Sequence, residues 1–274
     1  MTECPLRPRL RKSGHLSPFA MNPMQQRLTI LTGASRGMGL AMAEQLLQPG
    51  ARLLCISRKA NASLDALAAQ RGALLEQWQA DLADAAPVAA RLSAWLQAQV
   101  PATLQSATLI NNAGVISALV PVRDGQAADL ANALRVGLEA PLLLCAAFLG
   151  ATRHWTAPRK VLNISSGLGR RAMASSASYC AAKAGLDHFS RSLAMEEALQ
   201  AHGAKVCSLA PGVIATDMQV QLRSADPQAF PDIGNFQALH ERGMLSSPDE
   251  AAARILAYLE RADFGTDPVA DMRG

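Results

Sequence analysis

The chain has 274 residues, half of them hydrophobic and 18% charged, which suits one globular domain and excludes a chain too polar to fold. Its net charge of +4 is uneven: Arg7, Arg9, Arg11 and Lys12 against Glu3 put +3 in the first 24 residues, and the nearly neutral remainder carries no nucleic-acid footprint. The longest apolar stretch, 140–151, is too short to cross a bilayer and contains Pro141, so no membrane span is expected.

Residues 1–24 carry Pro5, Pro8, Pro18 and Pro23 with no helical or strand period, and read as a disordered extension. An arginine-rich presequence is one account of them, although the prolines interrupt an amphipathic helix; Met21 or Met24 as the true start is another. A single domain then runs over 25–274. Leu28-Thr29-Ile30-Leu31 reads as a buried strand and Leu40 to Leu47 as a helix. Between them lies Thr32-Gly33-Ala34-Ser35-Arg36-Gly37-Met38-Gly39. Strand, glycine turn and helix make a phosphate cradle, because glycines admit close backbone approach and a helix start offers free N–H groups. The spacing departs from G-x-G-x-x-G, so the usual dinucleotide fingerprint applies only in part.

The alternation continues along the chain. Residues 51–57 form a second strand, 61–71 a helix, 73–79 a third strand and 83–99 a helix with an apolar stripe. Thr108 to Ile110 is a fourth strand ending at Asn111. One long helix follows over 126–152, then a strand over 160–164, a helix over 176–202 and a strand over 205–209. Such a series predicts an α/β fold with one Rossmann-type, doubly wound parallel sheet flanked by helices. Ligands of these sheets bind beyond the carboxyl ends of the strands, and Gly33, Asp81, Asn111, Ser166 and Pro211 all follow strands.

Tyr179 and Lys183 stand four residues apart, so a helix puts both on one face with the ammonium beside the phenol. A free phenol, with a pKa near ~10, is a poor acid–base group at neutral pH; a neighbouring cation favours the phenolate and brings it into range. Ser166, thirteen residues upstream of the tyrosine, can hydrogen-bond the same substrate oxygen. Together they can protonate a carbonyl oxygen while a hydride reaches carbon. The five cysteines (Cys4, Cys55, Cys145, Cys180, Cys207) lack C-x-x-C or metal-ligand spacing, so no metal site is assigned, and their odd count favours reduced thiols in a cytoplasmic protein. Cys180 has no base nearby in sequence and is read as a packed thiol.

These motifs together resemble the short-chain dehydrogenase/reductase family. The glycine motif, Asp81-Leu82, Asn111-Asn112-Ala113-Gly114, the Ser166/Tyr179/Lys183 set and Pro211-Gly212 occur in family order from about Arg27 onward. Tyr179 to Asp187, Pro211 to Gln219 and Phe264 to Asp271 are most similar to the branch that holds sepiapterin reductase and bacterial benzil-type diketone reductases. The resemblance implies reduction of a ketone or diketone with NADP(H), and it assigns roles. Gly33, Ser35, Arg36, Gly37, Met38 and Gly39 would cradle the phosphates, Asp81 and Leu82 hold the adenine, and Asn111, Ala113 and Gly114 line the ribose and back the nicotinamide. Tyr179 and Lys183 would bond the nicotinamide ribose, while Pro211, Gly212, Val213, Ile214 and Thr216 fix the carboxamide. Catalysis falls to Ser166, Tyr179 and Lys183. Substrate binding falls to Ser166, Tyr179 and Asp271, whose carboxylate would accept two N–H donors of a flat pterin-like ring.

Charge selects the cofactor. The second strand ends Ile56-Ser57-Arg58-Lys59, with no acid for a ribose 2′-OH, whereas Arg58, helped by Arg36, can clasp a 2′-phosphate. One departure stands out: where the family has an asparagine that holds a water linking the lysine to solvent, this chain has Gly137 in Val136-Gly137-Leu138. A helix-interior glycine also costs ~1 kcal/mol relative to alanine. This departure lends support to a rival reading, an NADP-binding regulator with little turnover; another rival is a general 1,2-diketone reductase with no pterin role. Residues 217–248 read as a substrate loop of lid length. The family pairs its long helices between subunits, which implies a homodimer or homotetramer acting on a small-molecule carbonyl substrate.

Overall fold

Side chains alternate along β1 (Gln26–Thr32), where Leu28 and Ile30 enter one core and Leu31 the other, and along β2 (Ala51–Ser57), where Leu54 and Ile56 oppose Leu53 and Cys55. Strands buried on both faces need helices on both faces, and parallel pairing with helical crossovers supplies them. The computed structural model describes Met1 and residues 26–273; apart from Met1, the extension expected over 1–24 lies outside the described residues. Among these, β3 (Leu74–Gln79), β4 (Leu104–Asn111), β5 (Arg159–Ile164), β6 (Lys205–Ala210) and β7 (Val269–Asp271) complete a parallel seven-stranded sheet ordered β3-β2-β1-β4-β5-β6-β7. The order reverses between β1 and β4, which opens a crevice beyond their carboxyl ends.

On one face, α1 (Gly37–Leu46) and α2 (Ala62–Arg71) share a core with α9 (Pro248–Leu259). On the other, α3 (Ala85–Gln97), α5 (Ala140–Thr152) and α6 (Ala177–Ala198) do so. The single helix expected over 126–152 is α4 (Ala127–Leu134), a π-helical turn over Arg135–Glu139, and then α5. As one helical run, Ala127–Thr152 is 26 residues long and apolar enough to cross a bilayer, a property the stretch 140–151 alone did not suggest. In this fold Leu144, Cys145 and Phe148 of that run are 0% exposed inside the core. Each such buried Leu or Phe stabilises by roughly 1.5–3 kcal/mol.

Four elements were not anticipated. The stretch read as a loop over 217–248 holds α7 (Asp217–Arg223) and α8 (Ile233–Glu241). These pack a small separate core of Leu119, Met173, Leu222, Phe230 and Ile233, with the Phe230 and Phe236 rings stacked at 5.7 Å. Helix α9 opens with a reciprocal cap: Ser247 Oγ accepts from the Glu250 N–H at 3.2 Å, and Glu250 Oε2 accepts from the Ser247 N–H at 2.9 Å. The fourth is β7, which pairs Val269 to Asp271 with Ser208 to Ala210 and so brings Asp271 to the crevice side of the sheet.

Candidate active site

A cleft of about 1230 Å³ opens at the carboxyl ends of the strands. Gly33, Ser35, Arg36, Gly37, Met38 and Gly39 line it from β1 into α1. Gly33 has φ +73°, and a Cβ on Gly39 would lie 2.0 Å from the Gly33 carbonyl oxygen, so this turn closes only with glycine at both places. No side chain caps α1, so its leading N–H groups remain for an anion. The cradle therefore fits the pyrophosphate of a dinucleotide. Arg58, Asp81, Leu82, Ala113, Gly114, Pro211, Gly212, Val213, Ile214 and Thr216 line the same cleft. Asp81 uses one carboxylate oxygen to accept from the Ala83 N–H at 2.9 Å. The Val213–Ala215 backbone is pinned by Ser246, whose N–H reaches the Val213 carbonyl at 3.0 Å.

Asn111 is a correction. It is 3% exposed, and its amide donates to Asn163 Oδ1 at 2.8 Å and to Cys145 Sγ at 3.4 Å, away from the cleft. The period-two alternation of β4 explains this: Leu109 faces the core that holds Cys145, Ile110 faces the opposite one, and Asn111 returns to the side of Leu109. Its neighbour Asn112 lines the cleft instead. The Asn112 amide donates to the carbonyls of Thr32 at 2.9 Å and Gly33 at 3.3 Å, and so holds the glycine turn in place. Asn132 of α4 is a second polar group in the cleft that motif reading missed.

The catalytic candidates meet on the cleft floor. Tyr179 is 7% and Lys183 4% exposed on α6, one turn apart, and Ser166 follows β5 with its Oγ accepting from the Leu168 N–H at 3.2 Å. Burial pushes the Tyr179 phenol up to about 12, with Ser166 pulling partly the other way. Burial also pushes the Lys183 ammonium down to about 8, opposed by the Asp187 carboxylate one turn on. In this structure burial is the largest influence on the phenol. Lys183 Nζ donates to the Ile164 carbonyl at 2.8 Å and stands 5.7 Å from the tyrosine ring centre.

Gly137 lies in the π-helical turn, where an added Cβ would meet Ala182 Cβ at 3.0 Å, so the turn and α6 touch closely beside Lys183. Cys180 packs against the small core of α7 and α8, as a structural thiol does. That core also walls the substrate end with Ile116, Leu168, Met218 and Phe236. Arg58 is exposed at the cleft with no ion-pair partner among the described residues, whereas Arg36 Nη1 pairs with Asp217 across the mouth. Asp271 lines the cleft, but Arg273 and Arg170 both bond it.

The sequence matches the short chain dehydrogenase profile over residues 27–227. It is 33% identical to benzil reductase ((S)-benzoin forming) of Bacillus cereus over 238 residues, which is 87% of this chain and 96% of that protein. It is also 33% identical to sepiapterin reductase of Rattus norvegicus, over 86% of this chain and 92% of that one. A solved metagenomic short-chain oxidoreductase in complex with NADP is similar with a TM-score of 0.66 and 26% identity, over 91% of this chain and 96% of that chain.

Proposed function

The chain belongs to the short chain dehydrogenase family, whose members are NAD(P)(H) oxidoreductases, and on that premise we propose that it reduces a ketone or 1,2-diketone carbonyl with NADPH. The observation that carries this reading is the buried Tyr179 beside Ser166 and one turn from Lys183 on the floor of a cleft whose other half is a phosphate cradle. NADPH, when bound, supplies the hydride. Ser166 polarises the substrate oxygen, Tyr179 delivers its proton to it, and Lys183 stabilises the phenolate that remains. Arg58 supports the choice of the phosphorylated dinucleotide as a cation without a protein partner among the described residues.

The apolar substrate end favours a diketone with aromatic or alkyl arms. A pterin is the second reading, favoured by the likeness to the rat enzyme and by Asp271 standing in the same cleft, but it requires Asp271 to release Arg273. Consumption of NADPH with benzil and with sepiapterin separates the two, and binding of NADPH without oxidation by either would leave the regulator. Lys183 titrates at about 8, charged below and neutral above, so kcat/KM for reduction should fall as pH rises through that value. A profile flat across it would remove Lys183 from the mechanism. Exposed Leu134 and Leu142 on the α4–α5 run, with Met195 and Leu199 on and just after α6, support a homodimer or homotetramer, which light scattering reads directly. The four described cysteines are free, in keeping with a cytoplasmic location.

A further inference from the structure

Asp271 does not face the cleft as an open acceptor. Its Oδ1 accepts from the Arg273 backbone N–H and from Arg273 Nε, each at 3.0 Å. Its Oδ2 accepts from Arg273 Nη2 at 2.8 Å and from Arg170 Nη2 at 3.2 Å. A carboxylate offers about four acceptor sites, so Asp271 is saturated and its effect is to fix a guanidinium. Arg273, exposed at the rim of the cleft, runs past two of its glycines: a Cβ on Gly212 would meet its Cγ at 3.9 Å, and a Cβ on Gly167 would lie 2.7 Å from its Nη2. The fork therefore rests against the residue that follows Ser166, in space that a side chain at Gly167 would claim. Nε and Nη2 are used on Asp271, while Nη1 has no partner among the described residues. Arg170 ties the clamp to the catalytic helix through Asp187 at 3.7 Å, and to β7 through the Ala270 carbonyl at 3.4 Å.

We propose that Arg273 is a substrate-binding residue that sets specificity. Its unused N–H groups hold a second oxygen acceptor, either the other carbonyl of a 1,2-diketone or the carboxylate of a 2-keto acid. Ser166 and Tyr179 meanwhile hold the oxygen being reduced. The proposal rests on the reading of the chain as a carbonyl reductase and adds the chemistry its substrate must carry. The Nη1 edge of the guanidinium, left free beside the Ser166 loop, offers N–H donors to that second oxygen, and its orientation is already set by Asp271 before substrate arrives. Asp271 and Arg170 are then positioning residues for that fork.

The test compares benzil, phenylglyoxylate and deoxybenzoin, a ketone of similar bulk without a second acceptor, using the full chain with NADPH. Arg273→Met should lose about 30-fold in kcat/KM on the first two, chiefly through KM, and less than about threefold on deoxybenzoin. Phenylglyoxylate should raise the melting temperature of the wild type in the presence of NADP⁺ but not that of Arg273→Met. Rescue of phenylglyoxylate alone by Arg273→Lys identifies a carboxylate as the acceptor, and rescue of neither substrate identifies the planar dicarbonyl. Equal losses on all three ketones, or no loss on any, would overturn the assignment. Thermal protection of the wild type without turnover would instead sink the reductase reading and leave the acceptor site standing.

Discussion

Replacing Tyr179 by Phe is expected to slow carbonyl reduction by about 100-fold or more while NADPH affinity barely changes. The substitution removes one oxygen and keeps the ring, which packs at 7% exposure on α6. What disappears is the hydroxyl that would deliver a proton to the substrate oxygen. Neither neighbour replaces it. Ser166 Oγ is held by the Leu168 N–H, and Lys183 donates to the Ile164 carbonyl. Single-turnover rates and cofactor titration on the same preparation check both halves of the expectation. Near-wild-type turnover would remove Tyr179 as the proton donor.

Arg58→Asp should lower the preference for NADPH over NADH by about 100-fold or more, because repulsion replaces a charge-assisted clasp of the 2′-phosphate. The argument depends on which cation is unspoken for. Arg36, the other candidate in the glycine turn, pairs with Asp217, while Arg58 stands at the end of β2 with no such partner among the described residues. Dissociation constants for the two cofactors decide it. An unchanged ratio would pass the phosphate to Arg36 after release from Asp217, and Asp217→Asn would then strengthen NADPH binding.

Six of the seven strands were legible, the central ones because they are buried on both faces and punctuated by turns: β2 was read over the same seven residues it occupies. The glycine turn, Ser166, Tyr179 and Lys183 were legible because their chemistry fixes residue type and spacing. The π-helical turn was not, because Val136-Gly137-Leu138 looks like any apolar helix and the extra backbone residue leaves no compositional mark. Helices α7 and α8 were hidden by Pro227, Pro231 and the scattered acids around them, which read as loop. Two signals were present and unused. Ser247-Pro248-Asp249-Glu250 is a capping box that announces α9, and the alternation along β4 turns Asn111 inward and leaves the cleft to Asn112. The saturation of Asp271 was beyond reach of sequence, since Arg170 lies a hundred residues away until β7 joins the sheet.

The central claim is that this cleft joins hydride delivery to protonation by Tyr179, and transfer of deuterium from NADPH deuterated at both C4 positions to benzil tests its hydride half most directly. The account predicts deuterium on the carbinol carbon of the benzoin formed, one label per NADPH consumed, with the hydroxyl proton drawn from solvent through Tyr179. Binding of NADPH with no label appearing in product, from benzil or from sepiapterin, would contradict it.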